Sequence, residues 1–337
     1  MKQDLSGDDL KTMLMVKIRD DLEKIEESLR LNVNANLELV RKIAGHILFA
    51  GGKRLRPLLM INCAKMCGYQ GKQGERKALV DFSIIFEYLH AATLLHDDVI
   101  DEAVARRGRK TAHHIWSAPE VILTGDFLLA RSLSITADTR NPDIISTIAT
   151  ITEEMSQGEI DQLMYKGRLD LSREHYFSII RRKTAVLIEG ACRCGALLAG
   201  AAKTLEDALF NYGHNLGMAF QMADDLLDYT SDAQTLGKKP GADLREGKLT
   251  LPLIKTLERA SQEDRILIEK IVMAKEFSQT GFGDLVALIR KYKGIEYTEA
   301  KALEYVENAK RCLDMFQASD QKELLTMLAD YSVKREV

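Results

Sequence analysis

The segment LHAATLLHDDVIDE at residues 89–102 joins a helical run of apolar residues to the acidic pattern D-D-x-x-D at 97–101. A second segment, MAFQMADDLLDYT at 218–230, has the same order and places the same pattern at 224–228. Because residues i and i+4 of a helix project from one face, the first and last aspartates of each pattern point together. The sequence therefore predicts two helices that each end in a cluster of carboxylates.

Carboxylates this close together repel one another unless a cation neutralises them, and their apolar neighbours predict partial burial. Oxygen ligands suit hard cations, and Mg²⁺ takes one or two carboxylates and completes its shell with water and phosphate oxygens. A single acidic cluster is equally compatible with a solvated acidic face or a helix cap. Two such clusters, each at the end of an apolar helical run, favour several Mg²⁺ ions held around one diphosphate.

Basic residues that could bind phosphate follow glycines or the first acidic cluster. GGKRLRP at 51–57 carries three cations after a Gly-Gly break, where backbone N–H groups and arginine side chains can approach phosphate. Arg106 and Arg107 follow the first acidic cluster. Further candidates are Lys183, Thr184, Lys238, Lys239 and Lys248. Each alone is typical of an exposed basic loop, but together with the acidic clusters they favour a polyanionic substrate.

The composition is typical of a soluble helical protein. The 337 residues are 46% hydrophobic and 29% charged, with only 5 prolines, which favours helices around a sizeable core. The net charge of -3 gives no general attraction to nucleic acid. The 5 cysteines have no second pair at zinc-finger spacing and predict reduced thiols. Since the N-terminus lacks the pattern of a signal peptide, we expect a cytoplasmic protein.

Helical periodicity covers most of the chain, and strand signals are nearly absent. We expect one all-α domain over 1–337, in which the amphipathic segment 1–35 covers the core or lies at a subunit interface. The longest breaks are expected at 231–248 and 278–284. Helices are predicted at about 9–31, 36–50, 55–67, 76–101, 119–137, 142–165, 173–200, 205–230, 250–275, 283–292 and 297–331.

The chain resembles the trans-isoprenyl diphosphate synthases over about residues 50–250. The motifs that carry the resemblance occur in the family's order and are GGKRLRP, LLHDDVIDE followed by ARRGRKT, GDFLLA, QGE, KTA, QMADDLLD and GKKPGADLREGKLTLP. The resemblance implies the isoprenoid synthase fold, a large helical bundle, usually a homodimer, with the two acidic clusters facing each other across a deep central cavity. It also implies two or three Mg²⁺ ions per active site, with Mn²⁺ as a substitute.

The resemblance further implies roles for individual residues. The implied Mg²⁺ ligands are Asp97, Asp101, Asp224 and Asp228. The implied contacts to the allylic diphosphate are Arg106, Lys183, Thr184, Gln221, Lys238 and Lys248. The implied contacts to isopentenyl diphosphate are Lys53, Arg56, His90 and Arg107. Catalysis is expected to depend on Asp97, Asp98, Asp101, Lys183, Asp224, Asp225 and Lys238.

The implied reaction adds isopentenyl diphosphate to an allylic diphosphate, which we expect to be farnesyl or geranylgeranyl diphosphate. Mg²⁺ and the cationic side chains would stabilise the departing diphosphate, so that the allylic C–O bond ionises. The isopentenyl double bond then attacks the carbocation, and loss of a proton to the released diphosphate gives a longer allylic product. Proximity and electrostatics carry such a reaction, so no protein nucleophile is needed.

Small residues precede the first acidic cluster. Ala92 and Thr93 occupy the fifth and fourth positions before Asp97, and Leu89 lies one turn further back. In this family aromatic residues there block the product tunnel, so their absence implies a long product, hexaprenyl to decaprenyl with octaprenyl the middle value. Such a product suits quinone side chains and could leave the enzyme through peripheral contact with a membrane. Helical phase suggests Ile144, Ile145 or Ile148 as the floor of the tunnel, although such isoleucines are more often plain core residues.

Other functions stay open at this point. A farnesyl or geranylgeranyl diphosphate synthase would differ only in the depth of the tunnel. A terpene cyclase would generally lack the second acidic cluster and GGKRLRP, and a non-catalytic subunit that regulates a partner would have no reason to keep buried acids. The C-terminal pair Lys334-Arg335 either closes over isopentenyl diphosphate or frays.

Overall fold

The structure is a computed structural model that describes residues 7–33, 35–71, 75–106, 108–230, 241–273 and 279–334. Helices make up almost all of the regular structure in these residues. The α-helices are α1 Gly7–Asn32, α2 Glu38–Leu48, α3 Leu55–Met66, α4 Glu75–Ser83, α5 Ile85–Ile100, α6 Ala118–Asp138, α7 Pro142–Met164, α8 Arg173–Ile180, α9 Val186–Leu198, α10 Lys203–Thr230, α11 Ala242–Arg245, α12 Leu251–Arg259, α13 Gln262–Val272, α14 Gln279–Lys291, α15 Gly294–Cys312 and α16 Asp320–Lys334.

Shorter elements connect some of these helices. They are the 3₁₀ turns Ala112–His114 and Leu313–Met315, the π-helical turn Arg181–Ala185, and the antiparallel strands β1 Ala105–Arg106 and β2 Arg109–Lys110. The prediction of an all-α fold is therefore confirmed, with one small hairpin that periodicity did not indicate.

Several predicted helix boundaries were wrong. The helix expected over 76–101 is divided into α4 and α5, and the helix expected over 297–331 is divided into α15 and α16. The helix expected over 250–275 is two helices, because Ser261 caps α13 by accepting a hydrogen bond from the Asp264 N–H at 3.2 Å. The break expected at 278–284 is mostly helical, since α14 begins at Gln279. These errors come from capping and packing, which apolar periodicity does not report.

The helix α10 lies at the centre of the fold and packs against α9 and α15. Its first half contributes Tyr212 and Leu216 to one apolar cluster, built mainly from α1–α7 and α9, whereas Met218 and Met222 belong to a second cluster with α12–α15. Tyr212 is fully buried, and its hydroxyl donates to the carbonyl of Leu325 in α16 at 2.7 Å. The helix that ends in the second acidic cluster is therefore fixed on several sides.

The helix α5, which ends in the first acidic cluster, packs against α3 and α6. The stretch Ala78–Ile100 is long and apolar enough to cross a membrane by length and composition, but 67% of its apolar window is buried inside the protein. This burial identifies it as a core helix of the fold. The first acidic cluster is thus held at the end of a packed, rigid element.

Candidate active site

The first acidic cluster lies at the C-terminal end of α5 and faces three lysines. Asp101 accepts hydrogen bonds from Lys248 Nζ at 2.8 Å and Lys166 Nζ at 3.2 Å. Lys183 Nζ lies 3.8 Å from Asp97 Oδ2. Asp97 and Asp101 therefore both face lysine side chains, as the spacing of four residues predicted.

Asp98 differs from its two neighbours because only 1% of its surface is exposed. Its carboxylate accepts from Arg106 Nε at 2.9 Å and lies 2.8 Å from Arg106 Nη2. The pair fixes the start of β1 against the end of α5. In this structure Arg106 is thus engaged by Asp98, and a diphosphate would have to share its guanidinium.

Asp97 and Asp101 have opposite pKa shifts. Burial raises the pKa of Asp97 to about 6, against the attraction of Lys183, and nearby Glu159 raises it further. For Asp101, burial is outweighed by the hydrogen bonds and charges of Lys248 and Lys166, so its pKa is lowered. A cation bound beside Asp97 would relieve the cost of its buried charge, and the all-oxygen donor set fits a hard metal ion such as Mg²⁺.

The second acidic cluster presents its three aspartates differently. Asp224 is exposed, whereas Asp225 is 3% exposed and accepts from Tyr176 Oη at 2.6 Å and Gln221 Nε2 at 2.8 Å. Burial raises the pKa of Asp225 to about 8; the charge of Asp243 adds to this rise and the two hydrogen bonds oppose it. Asp225 is therefore held inside the protein by its neighbours.

Asp228, also expected as a metal ligand, contacts the backbone of α11 in this structure. Asp228 is fully buried, and its carboxylate accepts from the backbone N–H groups of Ala242 at 3.1 Å and Asp243 at 3.2 Å. These contacts cap the N-terminus of α11 and fix it to α10. Asp228 supports the second acidic cluster in this structure, and Asp224 is the member that reaches solvent.

The π-helical turn at 181–185 lies between the two acidic clusters. Lys183 Nζ contacts Glu159 Oε1 at 2.6 Å and donates to Gln162 Oε1 at 2.7 Å. Thr184 Oγ1 donates to Gln221 Oε1 at 2.7 Å. Consecutive residues of one turn thus reach side chains beside the first and the second acidic cluster.

The three cations of the motif GGKRLRP differ in burial, since Lys53 is exposed, Arg56 is half-buried and Arg54 is buried. Arg54 is buried and contacts Glu26 at 2.6 Å, Glu87 at 3.1 Å and the carbonyl of Leu48 at 2.6 Å. It is therefore a structural residue, although the sequence suggested three phosphate-binding cations here. Lys53 lies over the ring of Tyr331 at 5.4 Å from its centroid.

Two other residues expected at the isopentenyl diphosphate pocket lie on neighbouring helices. Arg56 is in the first turn of α3 and His90 is in the middle of α5, and these helices pack together. Arg107 and Lys238 lie outside the described residues, as does Arg335 of the C-terminal pair. Lys334 is the last residue of α16.

A cavity of about 180 Å³ extends from Asp97 between α5, α6 and α7. Leu89, Ala92 and Thr93 line it, in agreement with their predicted position below the first acidic cluster. Ile148 is fully buried in the core and does not contribute to the described lining of the cavity, which agrees with its interpretation as a core residue. The remaining described lining residues are His96, Ile100, Leu129, Thr152, Met155, Ser156 and Glu159.

Sequence reasoning missed several residues that contact the expected ones. Glu159 belongs to the motif QGE at 157–159, but the motif does not indicate its contact with Lys183. Lys166 reaches Asp101 from the loop after α7, and Tyr176 reaches Asp225 from α8; no local pattern indicates either contact. Asp243 could have been found, since GADLREGK belongs to a recognised motif and provides one further carboxylate near Asp225.

These features define a class of protein. An all-α bundle brings carboxylates and lysines together at the mouth of a cavity whose deeper walls are apolar, which suits a diphosphate with a hydrocarbon chain. The chain belongs to the polyprenyl synthetase family, because residues 37–288 match the family model described as "Polyprenyl synthetase". It is a trans-prenyl diphosphate synthase, a prenyltransferase that uses isopentenyl diphosphate and an allylic diphosphate.

Curated relatives span nearly the whole chain. An octaprenyl diphosphate synthase of Haemophilus influenzae is 33% identical over 335 residues, which is 99% of each chain. An all-trans-nonaprenyl-diphosphate synthase (geranyl-diphosphate specific) of Rhodobacter capsulatus is 35% identical and covers 97% of this chain and 98% of its own. Component 2 of a heptaprenyl diphosphate synthase of Geobacillus stearothermophilus is 35% identical, with coverages of 95% and 97%.

Solved structures agree with the fold. A polyprenyl synthase from Caulobacter crescentus, complexed with calcium and isoprenyl diphosphate, is 35% identical with a TM-score of 0.89, covering 96% of this chain and 97% of its own. A geranylgeranyl pyrophosphate synthetase from Pyrococcus horikoshii is 28% identical with a TM-score of 0.87, covering 97% and 99%. The relatives share the fold but differ in the length of their named products.

Proposed function

We propose that the protein makes a long all-trans polyprenyl diphosphate, hexaprenyl to decaprenyl with octaprenyl the central value. The observation that carries this proposal is the cavity that runs down from Asp97, with Ala92 and Thr93 in its wall. Its described lining contains no Phe, Tyr or Trp that would close it just below Asp97. The octaprenyl, nonaprenyl and heptaprenyl synthases among the relatives support a long product.

The polar mouth of the cavity suits two diphosphates. Lys183, Thr184 and Gln221 would bind the allylic diphosphate, and Arg106, Lys248 and Lys238 would complete that set. Lys53, Arg56, His90 and Arg107 would bind isopentenyl diphosphate. Asp97, Asp101 and Asp224 would hold two or three Mg²⁺ ions, which when bound would neutralise charge on the leaving diphosphate.

In this arrangement the side chains of the protein bind and orient the reactants. The lysines fix the allylic diphosphate between the two acidic clusters, while the apolar walls receive its hydrocarbon chain and exclude water. Holding the isopentenyl double bond close to the allylic carbon makes the condensation effectively intramolecular. The released diphosphate would accept the proton, so no side chain is needed as a base.

The experiment that tests this function is an elongation assay. The pure protein is incubated with Mg²⁺, labelled isopentenyl diphosphate, and either farnesyl or geranylgeranyl diphosphate, and the products are separated by length. We expect products of hexaprenyl length or longer, and Asp97→Asn or Asp224→Asn should lose most of this activity. A geranylgeranyl product would favour the short-chain alternative, a cyclic hydrocarbon would indicate a cyclase, and no incorporation would indicate a non-catalytic subunit.

We also propose that the protein is a homodimer. The outer faces of α6 and α7 carry exposed apolar side chains, including Ile122 and Leu133 on α6 and Ile145 and Ile160 on α7. Adjacent helices with such faces are suited to an interface with a second copy. Light scattering should give twice the mass of the chain, and Leu133→Glu should lower it, whereas Met315→Glu, at an exposed apolar residue elsewhere, should not. A monomeric wild-type protein would exclude the dimer.

The cellular setting follows from the substrates and the product. We propose that the enzyme acts in the cytoplasm on its polar diphosphate substrates and supplies side chains for quinones. Its apolar product would leave through peripheral contact with a membrane. Cell fractionation and the quinone content of a deletion strain would test this setting, and an unchanged quinone pool would exclude it.

A further inference from the structure

The π-helical turn Arg181–Ala185 interrupts what would otherwise be one continuous helix from α8 to α9. A π turn inserts an extra residue into the helical hydrogen-bond pattern, and such insertions are frequent where a helix serves a functional site. Here the turn carries Lys183 and Thr184, whose side chains reach toward different acidic clusters. The position of these two side chains therefore depends on the contacts that hold the turn in this conformation.

Two glycines lie directly against the backbone of this turn. A β-carbon at Gly158 of α7 would lie 2.7 Å from Arg182 Cβ and 2.9 Å from the backbone nitrogen of Lys183. A β-carbon at Gly217 of α10 would lie 2.5 Å from Ala185 Cα. These distances are shorter than carbon atoms tolerate, and backbone atoms cannot rotate away. Any side chain at either position would therefore displace the turn.

Each glycine is followed four residues later by a glutamine that accepts a hydrogen bond from a side chain of the turn. On α7, Gln162 Oε1 accepts from Lys183 Nζ at 2.7 Å. On α10, Gln221 Oε1 accepts from Thr184 Oγ1 at 2.7 Å. Because residues i and i+4 share a helix face, each helix presents both a close backbone contact and a polar acceptor on one side.

Arginine side chains fix the start of the turn to the same helix, α7. Arg182 Nε lies 3.3 Å from Glu154 Oε2, and Arg182 Nη1 lies 3.5 Å from Asp161 Oδ2. Arg181 Nη1 also contacts Glu154, at 3.4 Å, and its Nη2 contacts the buried Glu189 at 3.2 Å. The turn thus has fixed charges before Lys183 and close glycine contacts on two helices.

We propose that Gly158 and Gly217 are positioning residues, and that Gln162 is a third. Together they seat the π turn so that Lys183 and Thr184 hold one diphosphate at a fixed distance from both acidic clusters. This proposal rests on the proposed function, because it assumes that the leaving diphosphate lies between these clusters. A displacement of about 1 Å in such a site can lower the rate on the order of a hundredfold.

The test compares Gly158→Ala and Gly217→Ala with Gly45→Ala. Gly45 is also helical, but a β-carbon there would have its nearest contact at 3.7 Å from the ring of Phe49, an ordinary distance. We expect kcat to fall by at least about tenfold in the first two variants, with a raised KM for the allylic diphosphate. The KM for isopentenyl diphosphate should stay within about twofold, because two of its expected ligands, Arg56 and His90, lie on α3 and α5 and not on the turn. Gly45→Ala should resemble the wild type.

A second pair of variants covers the case in which the glycine variants do not fold. Gln162→Leu keeps a side chain of similar bulk at this half-buried position but removes the oxygen that accepts the hydrogen bond from Lys183. Gln157→Leu is its matched control on the same helix, since Gln157 is exposed and donates to Glu153 at 3.4 Å. We expect the rise in the allylic KM and the fall in kcat for Gln162→Leu only.

The outcomes separate this proposal from the proposed function. If the wild type incorporates no isopentenyl diphosphate, the proposed function fails. If the wild type is active and the folded Gly158→Ala and Gly217→Ala proteins keep kcat within about twofold, the positioning role is wrong. An equal rise in the KM values of both substrates would also overturn it. If the glycine variants do not fold, a Gln162→Leu enzyme with the kcat and allylic KM of the wild type would overturn it as well.

Discussion

Lys248 Nζ donates to Asp101 Oδ2 at 2.8 Å, although the two residues are 147 positions apart in the chain. Lys248 also contacts Glu246 at 2.6 Å, and these two acids raise its pKa although burial opposes the rise. The lysine is therefore charged at neutral pH. It links the segment that follows α11 to the first acidic cluster.

Removal of this charge should change the pH dependence of Mg²⁺ binding. The pKa of Asp101 is lowered because the hydrogen bonds and charges of Lys248 and Lys166 outweigh burial. In Lys248→Met the pKa of Asp101 should rise, so Asp101 should become protonated at a higher pH. As the pH is lowered, the Mg²⁺ affinity measured by calorimetry should therefore begin to fall at a higher pH than in the wild type. Lys255→Met, which removes a lysine paired with Glu258 on α12, is the control. Identical pH profiles for Lys248→Met and wild type would contradict this coupling.

Asp97 should make the metal-free enzyme less stable at neutral pH than at pH 5. Its folded-state pKa is raised to about 6 from 3.8, chiefly by burial. A carboxyl with a raised pKa contributes stability below its unfolded pKa and loses that contribution as pH rises through the folded pKa. Asp97→Asn should therefore be more stable than wild type at pH 8, on the order of 2 kcal/mol, by denaturant unfolding in EDTA.

The same variant has an opposite effect when Mg²⁺ is present. Under the proposed function Mg²⁺ binds Asp97 in the folded state, and it would then stabilise the wild type by mass action. Asp97→Asn should show a smaller rise in melting temperature with Mg²⁺, and Asp126→Asn, on α6, should keep the full rise. If Asp97→Asn were less stable than the wild type in EDTA, the buried charge of Asp97 would not destabilise the folded protein.

The first acidic cluster could be predicted well because it depends on local geometry. The spacing of Asp97 and Asp101 within one helix is enough to place both on the same side, and the structure has them there. The contacts of Asp101 could not be predicted. Lys166 and Lys248 reach it from 65 and 147 residues away, and such contacts depend on how whole helices pack.

The second acidic cluster shows the opposite case. The pattern D-D-x-x-D is the same, yet Asp228 is buried beneath α11 and Asp224 is exposed. The difference arises because the N-terminus of α11 lies on Asp228. Equal local patterns thus acquire different roles through tertiary contacts, and neither residue type nor spacing distinguishes them.

Arg54 should contribute to the stability of the folded protein and not to substrate binding. It has left-handed backbone geometry at the start of α3, and its buried guanidinium contacts Glu26 and Glu87. Arg54→Ala would leave Glu87 buried without this partner, so we expect a loss of about 3 kcal/mol in the free energy of unfolding. Lys42→Ala, in the exposed pair with Glu38, should cost less than about 1 kcal/mol. An Arg54→Ala protein of normal stability and a raised KM for isopentenyl diphosphate would instead indicate a binding residue.

Product length should respond to residues that line the cavity and not to Ile148. Ala92 on α5 and Met155 on α7 line it, whereas Ile148 is packed in the core. Ala92→Phe should shorten the product sharply because the ring would fill the space below Asp97, and Met155→Phe should shorten it less. Ile148→Val is the control, a conservative change in the core. It should cost about 1 kcal/mol of stability and leave the product distribution unchanged. Chromatography of the dephosphorylated products measures each distribution. An unchanged distribution for Ala92→Phe, or a changed one for Ile148→Val, would place the growing chain elsewhere in the bundle.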